Sequence, residues 1–109
     1  MGLNAFQEMK SKKPIVAKGP QVKQLQWVGK RIAKVVKMSH AQWEFVLFKD
    51  PEPNAFALPV GKVGFHTGIL PITRNEAGLA IVMAHVIAHH GSERVSQGML
   101  IGTSVFLVT

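Results

Sequence analysis

This sequence has no cysteine, few acidic residues and no hydrophobic run long enough to cross a bilayer. With no cysteine among 109 residues, disulfides, thiolate metal sites and cysteine nucleophiles are excluded. The six acidic residues are scattered rather than paired, which disfavours a hydrolase built on two carboxylates. The apolar run at residues 99–108 has about half the length of a membrane-spanning helix, and no apolar stretch follows a basic N-terminus. We therefore expect neither a transmembrane segment nor a signal peptide.

The residues that are present favour one small folded domain with excess positive charge. A chain of 109 residues is the size of one domain, and a hydrophobic fraction of 47% argues against disorder. Residues 1–37 hold nine of the 13 Lys and Arg residues and a single acid, Glu8. Such a block is typical of a solvated basic face, and it is also compatible with binding to nucleic acid or to an anionic membrane surface. Because no nucleic-acid-binding motif accompanies it, nucleic acid is not an expected partner.

Hydrophobic periodicity predicts an α+β fold. Helices are predicted over residues 4–12, 21–36 and 75–97, and Trp27 is predicted to pack at the edge of the second of them rather than to stack on a base. Strands are predicted over residues 43–48, 54–58 and 62–67, the last two joined by a tight turn. Asn75 is predicted to cap the third helix, and residues 68–74 are predicted to be a connection. We expect a small, mostly antiparallel three-stranded sheet packed against an N-terminal helix and the third helix.

That third helix carries three of the five histidines. His85 and His89 stand four positions apart, so their imidazoles fall on one helical face about 6 Å apart along the axis. Such a pair can bind a zinc, nickel or copper ion weakly, with water completing the coordination. The alternative is that both are packed or hydrogen-bonded side chains without a metal. His40 and His66 are isolated in the sequence and are predicted to be structural or exposed.

Several runs of the sequence resemble a family of zinc metallopeptidases. The similar runs are NAFALPVGKVGFHTGIL, which begins at Asn54, then LAIVM, and then AHVIAHHGSERVSQ, which begins at Ala84. They resemble bacterial enzymes of the HtpX, BepA and CAAX-prenyl-protease type, which are gluzincins. The resemblance implies a zincin-like upper subdomain, so residues 1–109 are expected to form one partial domain, the N-terminal half of the family's catalytic domain. It also implies a zinc-dependent endopeptidase of the bacterial envelope or periplasm that acts on protein or peptide substrates.

The zinc motif of that family is incomplete here. Family members carry a Gly-His-Glu-x-Ala-His run, in which two histidines bind zinc and the glutamate activates water. The simplest alignment makes His85 the second zinc histidine and leaves the first histidine and the glutamate without counterparts, as if one helical turn of about four residues were missing before Ala84. The run HVIAH also imitates the motif, with Val86 in place of the glutamate. Glu93 lies about 12 Å beyond His85 along a helix, too far to share an ion with it. We therefore expect no catalytic residues and a protein that is inactive or incomplete as a peptidase.

Asn54, Ala55, Phe56 and Ala57 form the candidate substrate-binding segment. In the family that this run resembles, it borders the active-site cleft, and an extended substrate lies against the strand. An exposed strand edge offers N–H and C=O groups to a peptide without any metal. The simpler alternative is a core strand that ends at a proline. The chain can also be a non-catalytic interaction module that self-associates as a homo-oligomer through a strand edge or its apolar C-terminus.

Overall fold

The computed structural model describes residues 3–36, 41–58 and 60–88, and it confirms the α+β class. The helices are α1 (Leu3–Lys12), α2 (Pro20–Val35), α3 (Leu70–Thr73) and α4 (Glu76–Ala88). The strands are β1 (Glu44–Phe48), β2 (Ala55–Ala57) and β3 (Lys62–His66). Within these residues, no helix has the length and apolar content needed to cross a membrane. The end of the predicted helix at 75–97 and the whole apolar segment at 99–108 lie outside the described residues.

The sheet is mixed, with the strand order β1-β3-β2. β2 pairs antiparallel with β3, as expected, but β1 pairs parallel with β3. Our prediction of a mostly antiparallel sheet was therefore wrong for one of the two pairings. β1 and β2 do run in opposite directions, but β3 lies between them. Periodicity in the sequence identifies strands, whereas their order depends on which neighbours the tertiary packing brings together.

The tight turn between β2 and β3 depends on Gly61. Its φ of 97° lies in the left-handed region that glycine adopts at no steric cost. The Gly61 N–H donates to the Leu58 carbonyl at 3.0 Å, and the Leu58 N–H donates to the Lys62 carbonyl at 2.8 Å. Val60 in the same turn does not have a positive φ, so its backbone does not require glycine.

Both faces of the sheet are covered. On one face, alternate strand residues pack against α2 and α4 in a single large core cluster. On the other face, Phe6 of α1 packs against Phe48 and Phe56, with ring centroids 6.3 Å and 6.1 Å away. Lys10 and Glu44 form an ion pair that adds a second contact between α1 and the sheet. The sheet thus holds α4 on one face and a phenylalanine cluster on the other.

The connection before α4 is more regular than we predicted. Residues Thr67–Ile69 form a 3-10 turn that continues into α3, which has a proline in its first turn. Asn75 then caps α4 as expected, because its Oδ1 accepts a hydrogen bond from the Gly78 N–H at 2.9 Å. These short elements fix the direction in which α4 crosses the sheet.

Candidate functional site

The site is built on α4, which presents an apolar stripe to the sheet. The buried residues of this helix are Leu79, Val82, Met83, Val86 and Ile87. Val86 has no exposed surface, whereas its neighbour His85 is half-buried at the edge of the stripe. The position that a catalytic glutamate would need in the run HVIAH is therefore occupied by a core side chain. His89, the other predicted metal ligand, lies outside the described residues.

β2 lies beside α4, so the structure brings the candidate substrate-binding segment next to the histidine-bearing helix. Ala55 and Ala57 belong to the same core cluster as Val82 and Val86. Phe56 points to the opposite face, where its ring stacks on Phe48 at 6.3 Å. The face of β2 that packs toward α4 is thus formed by its two alanines.

Hydrogen bonds at both ends of the hairpin show which backbone groups of β2 point outward. The His66 N–H donates to the Asn54 carbonyl at 3.0 Å, and the Leu58 N–H donates to Lys62 at the other end. Hydrogen-bonded pairs alternate along an antiparallel ladder, so Phe56 is the residue between them that bonds to β3. The N–H and C=O groups of Ala55 and Ala57 therefore point to the outer edge of the sheet.

These outward groups have few partners. The Ala55 N–H donates to Asn54 Oδ1 at 2.9 Å. Across the three described ranges, no hydrogen bond uses the outward groups of Ala57. Ala57 is 7% exposed, and Ala55 is fully buried. Within the described part of the chain, the edge therefore has an unpaired donor and acceptor at Ala57, at the point where the strand is least covered.

A second group of polar side chains, which the sequence did not reveal, lies at the other end of β3. Donor atoms of Asp50, Glu52 and His66 lie within 4.8 Å of one another. His66 is 1% exposed, and its Nδ1 lies 3.0 Å from the Glu52 carbonyl oxygen. Because a carbonyl can only accept, Nδ1 must carry the proton and donate it. Burial lowers the pKa of His66, which favours the neutral ring.

This group does not fit a zinc centre. Lys13 Nζ lies 2.9 Å from Asp50 Oδ2, and the Glu52 N–H donates to Asp50 Oδ1 at 2.9 Å. These two bonds, that from Lys13 first, lower the pKa of Asp50. Both carboxylate oxygens of Asp50 and the Nδ1 atom of His66 are therefore already hydrogen-bonded, and the Lys13 ammonium occupies the place of a cation beside Asp50. The cluster instead ties the turn at residues 50–53 to β3.

The sheet, its alanine edge strand and the histidine-bearing helix beside it form an α+β scaffold that is compatible with the expected metallopeptidase class. Comparison with known proteins identifies the family: the profile of Peptidase family M48 matches residues 20–109. The chain belongs to peptidase family M48, which confirms the resemblance seen in the sequence. The family implies a metal, but a donor set that fits zinc is not found among the described residues.

The curated relatives include mitochondrial and bacterial proteases. The mitochondrial metalloendopeptidase OMA1 of Schizosaccharomyces pombe is 45% identical over 82 residues, which cover 72% of this chain and 24% of the relative. The OMA1 of Saccharomyces cerevisiae is 42% identical over 77 residues, covering 62% of this chain and 22% of that protein. The beta-barrel assembly-enhancing protease of Yersinia pestis is 26% identical over 99 residues, covering 91% and 20%.

The chain therefore spans about a quarter or less of the length of these relatives. The bacterial relative agrees with the expected metallopeptidase type, and the mitochondrial ones show that the similarity extends beyond bacteria. Residence in a bacterial envelope stays a prediction.

One residue on α2 differs from its predicted role. Trp27 was expected to pack at the edge of the core, but it is 54% exposed. Its helical spacing from Lys23 and Arg31, four positions on either side, is the signal that could have placed it on the basic face.

Proposed function

We propose that this chain binds an extended polypeptide along the outer edge of β2 and does not hydrolyse it. The observation that carries the lack of hydrolysis is the complete burial of Val86 beside His85. In the family, hydrolysis depends on a glutamate that polarises a zinc-bound water. Valine has no proton to exchange, and a core position has no access to a bound water.

The two histidines of this helix are also too few to hold zinc as the family does. Family members hold zinc with two histidines of one helix and a third ligand from a later part of the chain. His85 and His89 supply two donors at most, and a pair of histidines binds a divalent ion weakly. We propose these two residues as a low-affinity metal site with no catalytic role, so polypeptide binding has to come from the strand.

The edge of β2 can provide that binding. A peptide that adds as a further strand gains main-chain hydrogen bonds with the outward N–H and C=O groups of Ala57. Asn54 occupies the Ala55 N–H, and Phe56 anchors the strand through the phenylalanine cluster. This assigns a distinct role to Asn54, Phe56 and Ala57, three of the four candidate residues.

An Ala57→Pro substitution tests the edge directly. It removes the outward N–H, which β3 does not use, and proline is tolerated at such positions of edge strands. We expect the affinity for an extended peptide, measured by isothermal titration calorimetry, to fall at least about tenfold, because one hydrogen bond is lost and the edge is sterically blocked. A peptide that is N-methylated at alternate amides tests the same contact from the ligand side, because it lacks N–H groups that an edge strand would bind. Affinity that is unchanged both for the Ala57→Pro variant and for the N-methylated peptide, with the fold intact by circular dichroism, would contradict the proposal.

Self-association is the second candidate function, and the same unpaired edge favours it. A strand edge with free donors and acceptors is a template for another chain, including a second copy. A concentration-dependent dimer in analytical ultracentrifugation that Ala57→Pro abolishes would support this function over peptide capture.

A further inference from the structure

A stripe of cations surrounds the exposed tryptophan of α2. The stripe consists of Lys23, Trp27, Lys30, Arg31 and Lys34, all of which are exposed. At 100° per residue, these five positions fall within about 100° of one another around the helix. The opposite side of α2 faces the core through Val22, Leu25, Val28 and Gly29. The stripe is therefore the face that α2 turns away from the rest of the fold.

No acidic side chain of residues 3–36, 41–58 and 60–88 pairs with this stripe. The sequence has no acidic residue between Glu8 and Glu44. Among the described residues, the four cations of the stripe form no ion pair, whereas Lys10, Lys12, Lys13 and Lys62 all do. The stripe thus retains its full positive charge toward solvent, which attracts an anionic surface.

The stripe also borders a shallow cavity that can receive an anionic group. The cavity has a volume of about 340 Å³ and is lined by Ala17, Val22, Lys23, Gln26, Trp27 and Lys30. Gln26 is held in place because its Nε2 donates to the Phe45 carbonyl at 2.7 Å. Lys23 and Lys30 therefore contribute two ammonium groups beside a partly apolar recess, with the indole as one wall.

We propose that this face of α2 docks the protein onto the surface of a membrane that contains anionic phospholipids. Lysine ammonium groups attract the lipid phosphates, and tryptophan is the side chain favoured at the boundary between headgroups and acyl chains. The combination of a basic helical face with an exposed tryptophan is typical of helices that lie in the plane of a membrane surface.

Nucleic acid fits the same observations less well. Binding to single strands without sequence preference uses several aromatic platforms on which successive bases stack. Trp27 is the one aromatic among the exposed large hydrophobic side chains of the described residues. The Arg31 guanidinium lies over its ring, with Cζ 5.3 Å from the centroid, so one face of that ring is already covered. The uncovered part of the indole remains available to lipid.

Vesicle flotation with the full chain tests the proposal. The probes are vesicles of phosphatidylcholine alone and of phosphatidylcholine with about 30% phosphatidylserine. We expect the chain to bind the anionic vesicles and not the neutral ones. Each lysine near an anionic surface changes partitioning about fivefold, so the double variant Lys23→Gln/Lys30→Gln should bind about 30-fold less tightly. The matched control is Lys12→Gln/Lys49→Gln, which removes two exposed cations elsewhere and should bind at least about fivefold more tightly than the stripe variant.

Tryptophan fluorescence adds a readout that bulk charge does not move. In a Trp43→Phe background, the emission of Trp27 should shift to the blue when anionic vesicles are added, because the indole leaves water. Equal losses in the stripe and control variants, or no shift on binding, would overturn the proposal. Tighter binding of a single-stranded oligonucleotide than of anionic vesicles, lost in the stripe variant, would assign the face to nucleic acid and would also overturn it.

Discussion

His66 is the side chain through which the turn at residues 50–53 is attached to the sheet. Its ring is buried edge-on against Phe48, with centroids 6.1 Å apart, and its Nδ1 donates to the Glu52 carbonyl. Among the described residues, Nε2 has no hydrogen-bond partner, so the neutral ring with a bare Nε2 is the form that this site accepts.

The stability of the protein should therefore fall when His66 is protonated. Burial places the folded-state pKa below the ordinary value of 6.5, so below that pH the unfolded chain binds more protons than the folded one. We expect the free energy of unfolding in urea to be highest above pH 6.5 and to decrease as the pH falls from 7 to about 5.

A His66→Asn variant isolates this effect, because its amide can still donate to Glu52 but does not titrate. The variant should show a smaller decrease than the native chain over the same range. Glu44 and Asp50, whose pKa values are lowered mainly by Lys10 and Lys13, lose their contribution only at lower pH. Equal slopes for the native chain and His66→Asn would show that His66 is not the group responsible.

At Val86, the sequence motif and the structure predict different outcomes for the same substitution. A Val86→Glu substitution turns the run HVIAH into a complete His-Glu-x-x-His spacing, which by the motif alone predicts restored catalysis. Because Val86 is fully buried, we expect instead that the carboxylate destabilises the fold by about 3 kcal/mol or more. Urea unfolding measures the cost, with Ile81→Glu as the matched control because Ile81 is 62% exposed on the same helix. Equal stability of the two variants would contradict the burial of Val86 on the core side of α4.

At the scale of elements, α2 approaches the sheet closely at one glycine. A Cβ built on Gly29 would lie 2.6 Å from Cδ1 of Phe45, and Trp43 also stacks on that ring, with centroids 5.9 Å apart. Phe45 is buried in the core, so its ring has little room to move away. The absence of a side chain at Gly29 sets the distance between α2 and β1.

A Gly29→Ala substitution should destabilise the protein although alanine is the better helix former. Propensity alone would favour alanine by about 1 kcal/mol, but overpacking a core contact costs about 1–3 kcal/mol, and both partners are buried here. Thermal unfolding should show a lower midpoint for the variant. In a Phe45→Leu background the loss should shrink, and an equal loss in both backgrounds would rule out the ring as the cause.

The elements that sequence reasoning predicted well are those with strong local signals. The periodic apolar positions of α2, the aromatic-rich β1 and the Asn75 cap are all encoded within a few neighbouring residues. The parallel pairing of β1 and the Asp50-Glu52-His66 cluster were missed because each depends on residues far apart in the chain. The exposure of Trp27 was missed although its spacing from Lys23 and Arg31 on the same helix carried the signal. His66 appears isolated in the sequence, and only the packing of β3 brings it to the turn at residues 50–53.

At the scale of the whole molecule, the described residues form the sheet and core of a chain that belongs to a peptidase family. The sequence predicts that about four residues of the zinc motif are missing before Ala84. Such a loss would rotate the downstream helix by only about 40°, so it is compatible with the apolar stripe that buries Val86 against the sheet. The edge strand β2 and the basic face of α2 lie outside the stretch in which that loss is predicted.

Chelator-sensitive proteolysis is the most direct test of this account. Fluorescein-labelled casein is incubated with the chain in the presence of added zinc, with and without 1,10-phenanthroline, and a His85→Ala variant serves as the control. We predict that the native chain and His85→Ala release fluorescein at the same rate as buffer, with no effect of the chelator. Hydrolysis that grows with chain concentration, stops with the chelator and is lost in His85→Ala would contradict the claim that this chain has no working reaction centre.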